Sequence, residues 1–546
     1  MGTLDRRHFL ESIAKSAVGG AILGLGKDTL WGQVPPAPPS NLRVVQGGTA
    51  NKAVLQPSDF SCLGAFTIAP GGDPNFAGTL ALRYVGGQPR LYSMSIGSGG
   101  RVNEFSVPSD NALRTAAPFP AAALTYDFGD IYQQALYSTV DKGYGTPPFT
   151  GLASGISPNG LFWDEIDRRM YWTYTSGYNN TSGVSDTVVG YSTLNDATHT
   201  GTGVGMWKLV PPSAGNNRWV NGLVSIPPDY AALFGGRRLG VGFGGFYSIA
   251  SNGPVSAGPA LYAVDPAGFT AAMNRNYAAS TPLKLMLHKF GTDVSAGYHR
   301  PPRHASLQCL DMYDEGAFKG QTNVWNWSDK PPSAVWIDTG SKHGFIVFAL
   351  LSGGNVQTNV LSASGSLACQ VADASGLHVG DFVQVQTVNT AGQSEYPFAV
   401  GSVASIAGNN VTFGFLENGW PSGTSNVGAA RVGGTVVSGA FYQGGGNCAS
   451  CWWTPWYIYD PSDLAAVAQG TKQPDLLVPT SMANYPLPHV ERYPIPGGGP
   501  DQIRPCLPNG AAYDPATKRL YVLYGQAYQN AVNDDRPLVY VFHVNS

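Results

Sequence analysis

Aromatic and small residues alternate in short runs along most of this chain, and polar turns separate the runs. Two stretches carry the pattern most fully. Pro158-Asn159-Gly160-Leu161-Phe162-Trp163-Asp164 is matched by Pro508-Asn509-Gly510-Ala511-Ala512-Tyr513-Asp514. Each continues in register through a polar turn, Glu165-Ile166-Asp167-Arg168 or Pro515-Ala516-Thr517-Lys518. A second run follows, Arg169-Met170-Tyr171-Trp172-Thr173-Tyr174 or Arg519-Leu520-Tyr521-Val522-Leu523-Tyr524. Leu82-Arg83-Tyr84, Gly86-Gly87 and Arg90-Leu91-Tyr92 form a weaker third copy. The two-residue period predicts half-buried strands, and Pro and Asp preset the turn dihedrals.

Further strands recur at comparable distances. Ala260-Leu261-Tyr262-Ala263-Val264-Asp265-Pro266 parallels Trp456-Tyr457-Ile458-Tyr459-Asp460-Pro461. Three or four antiparallel strands per unit, repeated along the chain, predict an all-β fold, a β-propeller. Units fall near 60–108, 155–195, 220–266, 333–352 with 435–461, and 508–544. More divergent strands at 41–60, 120–140, 205–212 and 283–290 raise the expected count to six or seven blades, with five as the alternative. The strand from Val539 to Val544 is expected to join the first strands of the fold, because closing a ring removes open sheet edges. Helical periodicity is confined to two short segments, 228–233 and 461–467, each with Pro near its start and Asp early.

Between Gly354 and Gly434 the aromatics thin out and Val, Ser, Ala, Thr and Asn replace them. This stretch predicts a small β-barrel or β-sandwich inserted into a blade hairpin, since loop tips tolerate insertions. The expected division is a leader over 1–34, a Pro-rich spacer over 35–40, a propeller over 41–353 and 435–546, and an inserted module over 354–434.

Composition narrows the function. Among 546 residues, 70 glycines and 41 prolines fit a turn-rich fold, and charged residues make up only 12%, about half the usual share. A net charge of -3 excludes a nucleic-acid binder that relies on a basic face. Past the leader no apolar run reaches the ~18 residues of a spanning helix, so no membrane span is expected in the mature chain.

The N-terminal Asp5-Arg6-Arg7-His8-Phe9-Leu10 resembles a twin-arginine export motif, with Arg6, Arg7, Phe9 and Leu10 in its signal positions, and a mild apolar stretch follows to Leu25. The resemblance implies a periplasmic or secreted protein and an encounter with the twin-arginine export machinery. No clean A-x-A site follows. Six cysteines, at 62, 309, 369, 448, 451 and 506, allow fifteen pairings and are expected to act as local disulfide staples outside the cytoplasm. Cys448-Ala449-Ser450-Cys451 has redox-type spacing without the βαβ context of a redox site.

Together, Gly160–Asp164 with Tyr171-Trp172, Pro254–Ala260 with Val264-Asp265-Pro266, and Trp456–Pro461 are similar to segments of large secreted bacterial β-propeller proteins of unassigned function. The similarity covers most of the chain outside the insert. It implies the fold and the compartment and brings no catalytic residues with it.

Candidate chemistry gathers in Tyr298-His299-Arg300-Pro301-Pro302-Arg303-His304, followed by Trp325 and Trp327. Arg300 and Arg303 suit bidentate binding of carboxylates. Tyr298, His299 and His304 suit proton transfer. The bland alternative is a solvated loop whose arginines pair with Asp311, Asp314 and Glu315. Trp452 and Trp453, with Trp456 and Tyr457 beside them, suit stacking on sugar rings, against the alternative of packing between blades. His343 precedes an apolar strand and is expected to be structural before catalytic. The turn acids of 164–167 are expected to be a turn device shared with Asp514. The expected function is therefore binding or cleavage of a carbohydrate, in particular an acidic polysaccharide, by a lyase or a hydrolase route. The alternatives are a non-catalytic binding or scaffold propeller, and an oxidoreductase whose cofactor the sequence leaves unknown. No metal-ligand spacing is present.

Overall fold

The computed structural model describes residues 52–69, 79–95, 101–132, 156–176, 188–208, 222–243, 256–269, 282–289, 330–353, 357–363, 368–375, 377, 379, 382–387, 399–418, 434–438, 451–474, 476–483, 485, 487, 507–531 and 534–546. Among them are four four-stranded antiparallel sheets, one six-stranded sheet and a closed barrel. A short strand β1 (Ala53–Val54) and a strand β2 (Phe60–Thr67) come first. Sheet one is β3 (Ala81–Val85), β4 (Gln88–Ser95), β5 (Arg101–Ser106) and β6 (Leu124–Gly129) in that spatial order. Sheet two is β7 (Ile156–Asp164), β8 (Arg169–Ser176), β9 (Val188–Asn195) and β10 (Thr200–Lys208). Sheet three is β11 (Gly222–Ser225), β12 (Leu239–Gly242), β13 (Ser256–Val264) and β14 (Leu283–Lys289), with helix α1 (Pro228–Leu233) between its first two strands.

Sheet four begins with β15 (Lys330–Asp338) and β16 (Lys342–Gly353). The chain then leaves for a closed barrel of β17 (Gln357–Ala363), β18 (Ala368–Val371), β19 (Phe382–Thr387), β20 (Ala399–Ala407), β21 (Asn410–Asn418) and β22 (Gly434–Ser438). Its last strand runs past the boundary at 434 expected from the sequence. The barrel has its own core, in which Val371, Leu377, Val403, Val411 and Phe413 are buried with Cys369. Sheet four resumes with β23 (Cys451–Trp453) and β24 (Trp456–Tyr459), then helix α2 (Pro461–Ala468) and β25 (Ser481–Ala483). Sheet five is β26 (Leu507–Asp514), β27 (Arg519–Ala531) and β28 (Asp534–Val544), completed by β2.

The first strands neighbour one another in the order β3, β7, β11, β15, β26 and back to β3. Five apolar clusters fill the five seams of this circuit. Tyr92, Met94, Trp163 and Trp172 join sheets one and two; Tyr171, Tyr191, Leu239 and Tyr262 join two and three. Tyr230, Trp336, Phe345 and Leu464 join three and four; Ile346, Trp456, Val522 and Phe542 join four and five; Leu80, Leu91, Tyr521 and Val541 join five and one. The arrangement is that of a propeller.

Four sequence expectations bear on this circuit. The segments at 158–174 and 508–524 do occupy equivalent first and second strands, and each carries the same bulge, at Pro158/Gly160 and at Pro508/Gly510. The strand at Val539–Val544 does pair with the start of the fold, Phe60 lying opposite Val544. The expected count of six or seven blades, with five as the alternative, is not confirmed: the described residues place five sheets in this circuit. The divergent strands near 120–140, 205–212 and 283–290 are β6, β10 and β14, the outermost strands of sheets already counted. The second strands are also not half-buried. Met170 and Trp172 face one seam and Tyr171 the other, so both faces of β8 are covered.

Among the described cysteines Cys62 and Cys369 are free thiols, not staples. Burial pushes the Cys369 thiol up to about 11, which keeps it protonated and unreactive. Cys451 is described through its backbone in β23; Cys309, Cys448 and Cys506 lie outside the described residues. No described helix is long and apolar enough to cross a membrane.

Candidate ligand-binding end of the ring

Antiparallel pairing gives the ring two different ends. At one, which we name the turn end, each first strand passes to its second, through a short turn in four sheets and through α1 in sheet three. At the other, the loop end, the fourth strand of one sheet feeds the first strand of the next, and second strands leave for third strands.

The described charges of the turn end are used to hold sheets together. Asp164, Asp338 and Asp514 close their first strands, and each accepts a backbone N–H two residues on, from Ile166 at 3.0 Å, Gly340 at 2.8 Å and Ala516 at 3.0 Å. This confirms the shared turn device for Asp164 and Asp514 and adds Asp338, which the sequence comparison had missed. The signal was present, because an Asp at the last strand position followed by a turn is an Asx turn. Arg168 and Lys518 occupy the same left-handed position in two of these turns, with φ of 53° and 54°.

Every seam carries a polar tie near this end. Arg83, almost fully buried, forks onto Asp196 with two 2.6 Å bonds and lies over the Trp163 ring at 4.3 Å. Arg238 bridges Asp164 at 2.9 Å and Asp167 at 2.5 Å. Lys52 joins Asp229 at 3.3 Å and Asp338 at 2.6 Å. Lys342 meets Asp59 at 2.6 Å, and the Tyr84 hydroxyl donates to Asp514 at 2.7 Å. Burial pushes the Asp164 carboxyl above its usual value, more strongly than Arg238 draws it down. Burial also works against ionised Asp167, but hydrogen bonds from Arg238 and Tyr171 outweigh it and hold that carboxyl low. Sequence patterns could not reveal these pairs, since partners such as Arg83 and Asp196 stand 113 positions apart.

His343 belongs to this structural set. Its ring is 1% exposed; Nδ1 meets the Tyr230 hydroxyl at 2.6 Å, and Nε2 lies 3.3 Å from Asp460. Burial opposes the charge of Asp460, yet His343 and Ser462 hold its carboxyl below the usual value. Trp456 and Tyr457 are likewise packing residues, both buried between sheets.

Tyr298, His299, Arg300, Arg303, His304, Trp325 and Trp327 belong to the connection from β14 to β15, at 290–329, and lie outside the described residues. That connection re-enters the ring at Lys330, opposite Leu350 on β16. The next positions of β16, Leu351 and Ser352, pair with Trp453 and Trp452 of β23. The side chains of these two tryptophans are also outside the described set. Two groups far apart in sequence thus attach to the same end of the same sheet, and the barrel is inserted there too. Among the described residues no group of three or more His, Cys, Asp or Glu is placed to hold a metal ion.

No protein-family model matches the chain, and no curated protein does. Solved structures give weak likenesses. A candidate glycoside hydrolase from Parabacteroides distasonis ATCC 8503 aligns over 93% of this chain and 95% of its own, at 8% identity and a TM-score of 0.34. The GH43 endo-arabinanase of Bacillus licheniformis aligns over 65% of this chain and 96% of its own, at 10% identity and a TM-score of 0.27. A glucose dehydrogenase aligns over 89% and 99%, at 10% identity and a TM-score of 0.28. Likenesses at this level carry no argument; the fold rests on the strand pairing and the seams described above.

Proposed function

We propose that the chain is an exported five-bladed propeller that binds or cleaves a carbohydrate, an acidic polysaccharide by preference, at the loop end of sheet four. The observation that carries this reading is the attachment of the 290–329 connection at Lys330–Leu350, beside the pairing of Trp452 and Trp453 with Ser352 and Leu351. Arginine forks and aromatic platforms are complementary to the carboxylates and ring faces of a uronic-acid polymer. In this reading Arg300 and Arg303 hold carboxylates, and Trp325, Trp327, Trp452 and Trp453 stack on sugar rings. Tyr298, His299 and His304 exchange protons with the substrate. The barrel from β17 to β22 acts as a separate module beside the site.

The test is incubation of the purified chain with a panel of neutral and acidic polysaccharides. Absorbance of unsaturated uronates marks a lyase, and new reducing ends alone mark a hydrolase. Binding on a glycan array without turnover marks a binding module, and neither binding nor turnover overturns the reading. Arg303→Ala should weaken binding of an acidic glycan by about 1.5–3 kcal/mol, the range for hydrogen bonds to charged groups, with the melting temperature unchanged. Export belongs to the same proposal. Replacing Arg6 and Arg7 together by Lys should block it, because lysine lacks the planar donor fork of guanidinium; normal export of the double variant counts against the twin-arginine route.

A further inference from the structure

Sheet four has an unusual difficulty. Its second and third strands, β16 and β24, pair from Phe345 opposite Tyr459 to Phe348 opposite Trp456, yet the barrel and its connections separate them in sequence. In sheet two the same pairing is made across one connection, from β8 to β9. A long loop costs more entropy to close, so the central pairing of sheet four gains least from local connectivity.

The chain just ahead of β2 lies on this weak point. Ala53 and Val54 run parallel to Lys342 and His343, taking up β16 just beyond its last pair with β24. Ala53 N–H donates to Ser341 at 3.2 Å and Leu55 N–H to His343 at 2.8 Å. The Leu55 side chain is fully buried among Ile337, Ile346 and Ile458, against Gly344. Lys52, 12% exposed, reaches Asp229 of sheet three and Asp338 of sheet four. Asp59, also buried, accepts from Lys342, and its carbonyl accepts from Asn545 N–H at 2.7 Å at the end of sheet five. The Tyr485 hydroxyl donates to the Pro57 carbonyl at 2.8 Å.

We infer that Lys52–Asp59 is a second clasp of the ring, distinct from the closure made by β2 in sheet five. It fastens sheets three, four and five at the sheet whose hairpin the barrel interrupts. The clasp acts at the turn end, so it holds sheet four from the side opposite the loop-end attachments.

Hydrogen exchange on the full chain tests this. Lys52→Ala with Leu55→Ser removes the charge tie and the buried anchor and leaves β2 intact. The expected result is exchange at least about tenfold faster in Lys342–Phe348 and in α1, with amides of β8 and β9 in sheet two within about twofold of the parent. A synthetic peptide of residues 50–60 should restore protection when added to the variant. Should the double variant fail to fold, Lys52→Gln alone is expected to speed exchange in α1 and at the Asp338–Lys342 turn, again without effect in sheet two. Uniform acceleration across all sheets, or no local change, overturns the clasp. These readouts need no carbohydrate, so they stand or fall apart from the ligand-binding proposal.

Discussion

Gly510→Ala is expected to destabilise the chain by about 3 kcal/mol or more, the upper range for a single substitution. Gly510 follows the bulge of β26, where the first strand of sheet five approaches the entry to sheet one. A Cβ built there overlaps the backbone nitrogen of Leu80 and lies 2.8 Å from Leu80 Cβ and from the Thr79 carbonyl carbon. The obstacle is mostly backbone, and no side-chain rotation relieves it. Leu80 and Thr79 are held in turn, Leu80 in the seam core and Thr79 by accepting Leu161 N–H at 3.2 Å and a hydroxyl bond from Ser93 at 2.6 Å. The strand must therefore move away from sheet one and open the closing seam. Gly408→Ala is the control. Its φ is +58° with nothing within 4 Å of the new Cβ, so only the left-handed conformation is penalised, about 1 kcal/mol. Thermal or denaturant unfolding of both variants checks the contrast, and equal losses would show that the approach of β26 to Leu80 is not tight.

That approach also explains what was legible in the sequence. Pro-Asn-Gly was repeated because the same bulge is built into β7 and β26, and the Asp that follows was repeated because it caps the same turn. Both are local devices and leave local signatures. Among the described residues the outer strands β6, β10 and β14 are paired along one edge only, so they carry no such constraint and leave weaker patterns. Trp163 and Trp172 were readable as aromatic strand residues, but not as residues of one seam with Tyr92, because a seam joins side chains from different sheets. The candidate site has the same character. Arg303 and Trp453 stand far apart in the chain, and only the register of Lys330 with Leu350 and of Leu351 with Trp453 connects their attachment points.

The seam between sheets two and three offers the second large effect, and it depends on pH. Arg238→Met is expected to cost about 2–3 kcal/mol at neutral pH, somewhat below the range for breaking a fully buried ion pair, because Arg238 keeps 19% of its side-chain exposure. One nitrogen of its guanidinium serves both Asp164 and Asp167, and the Tyr171 hydroxyl donates to Asp167 at 2.9 Å. The two carboxyls respond to pH in opposite senses. Asp167 is held below the ordinary 3.8, so its contribution is present above that value and fades as pH falls through its folded pKa. Asp164 is raised by burial, so its contribution is present in acid and is lost as pH rises through its folded pKa. Removing the guanidinium weakens the depression of Asp167, which Tyr171 still supports, and lifts Asp164 further. Both changes cost most where the carboxyls would be ionised. The stability gap between parent and variant should thus be widest near neutrality and close as pH falls through about 4, where protonated carboxyls no longer need the cation. Arg238→Lys should recover part of the gap, since an ammonium supplies the charge without the planar fork. Denaturant unfolding from neutral to acidic pH measures it; a gap that stays constant would assign Arg238 to packing alone.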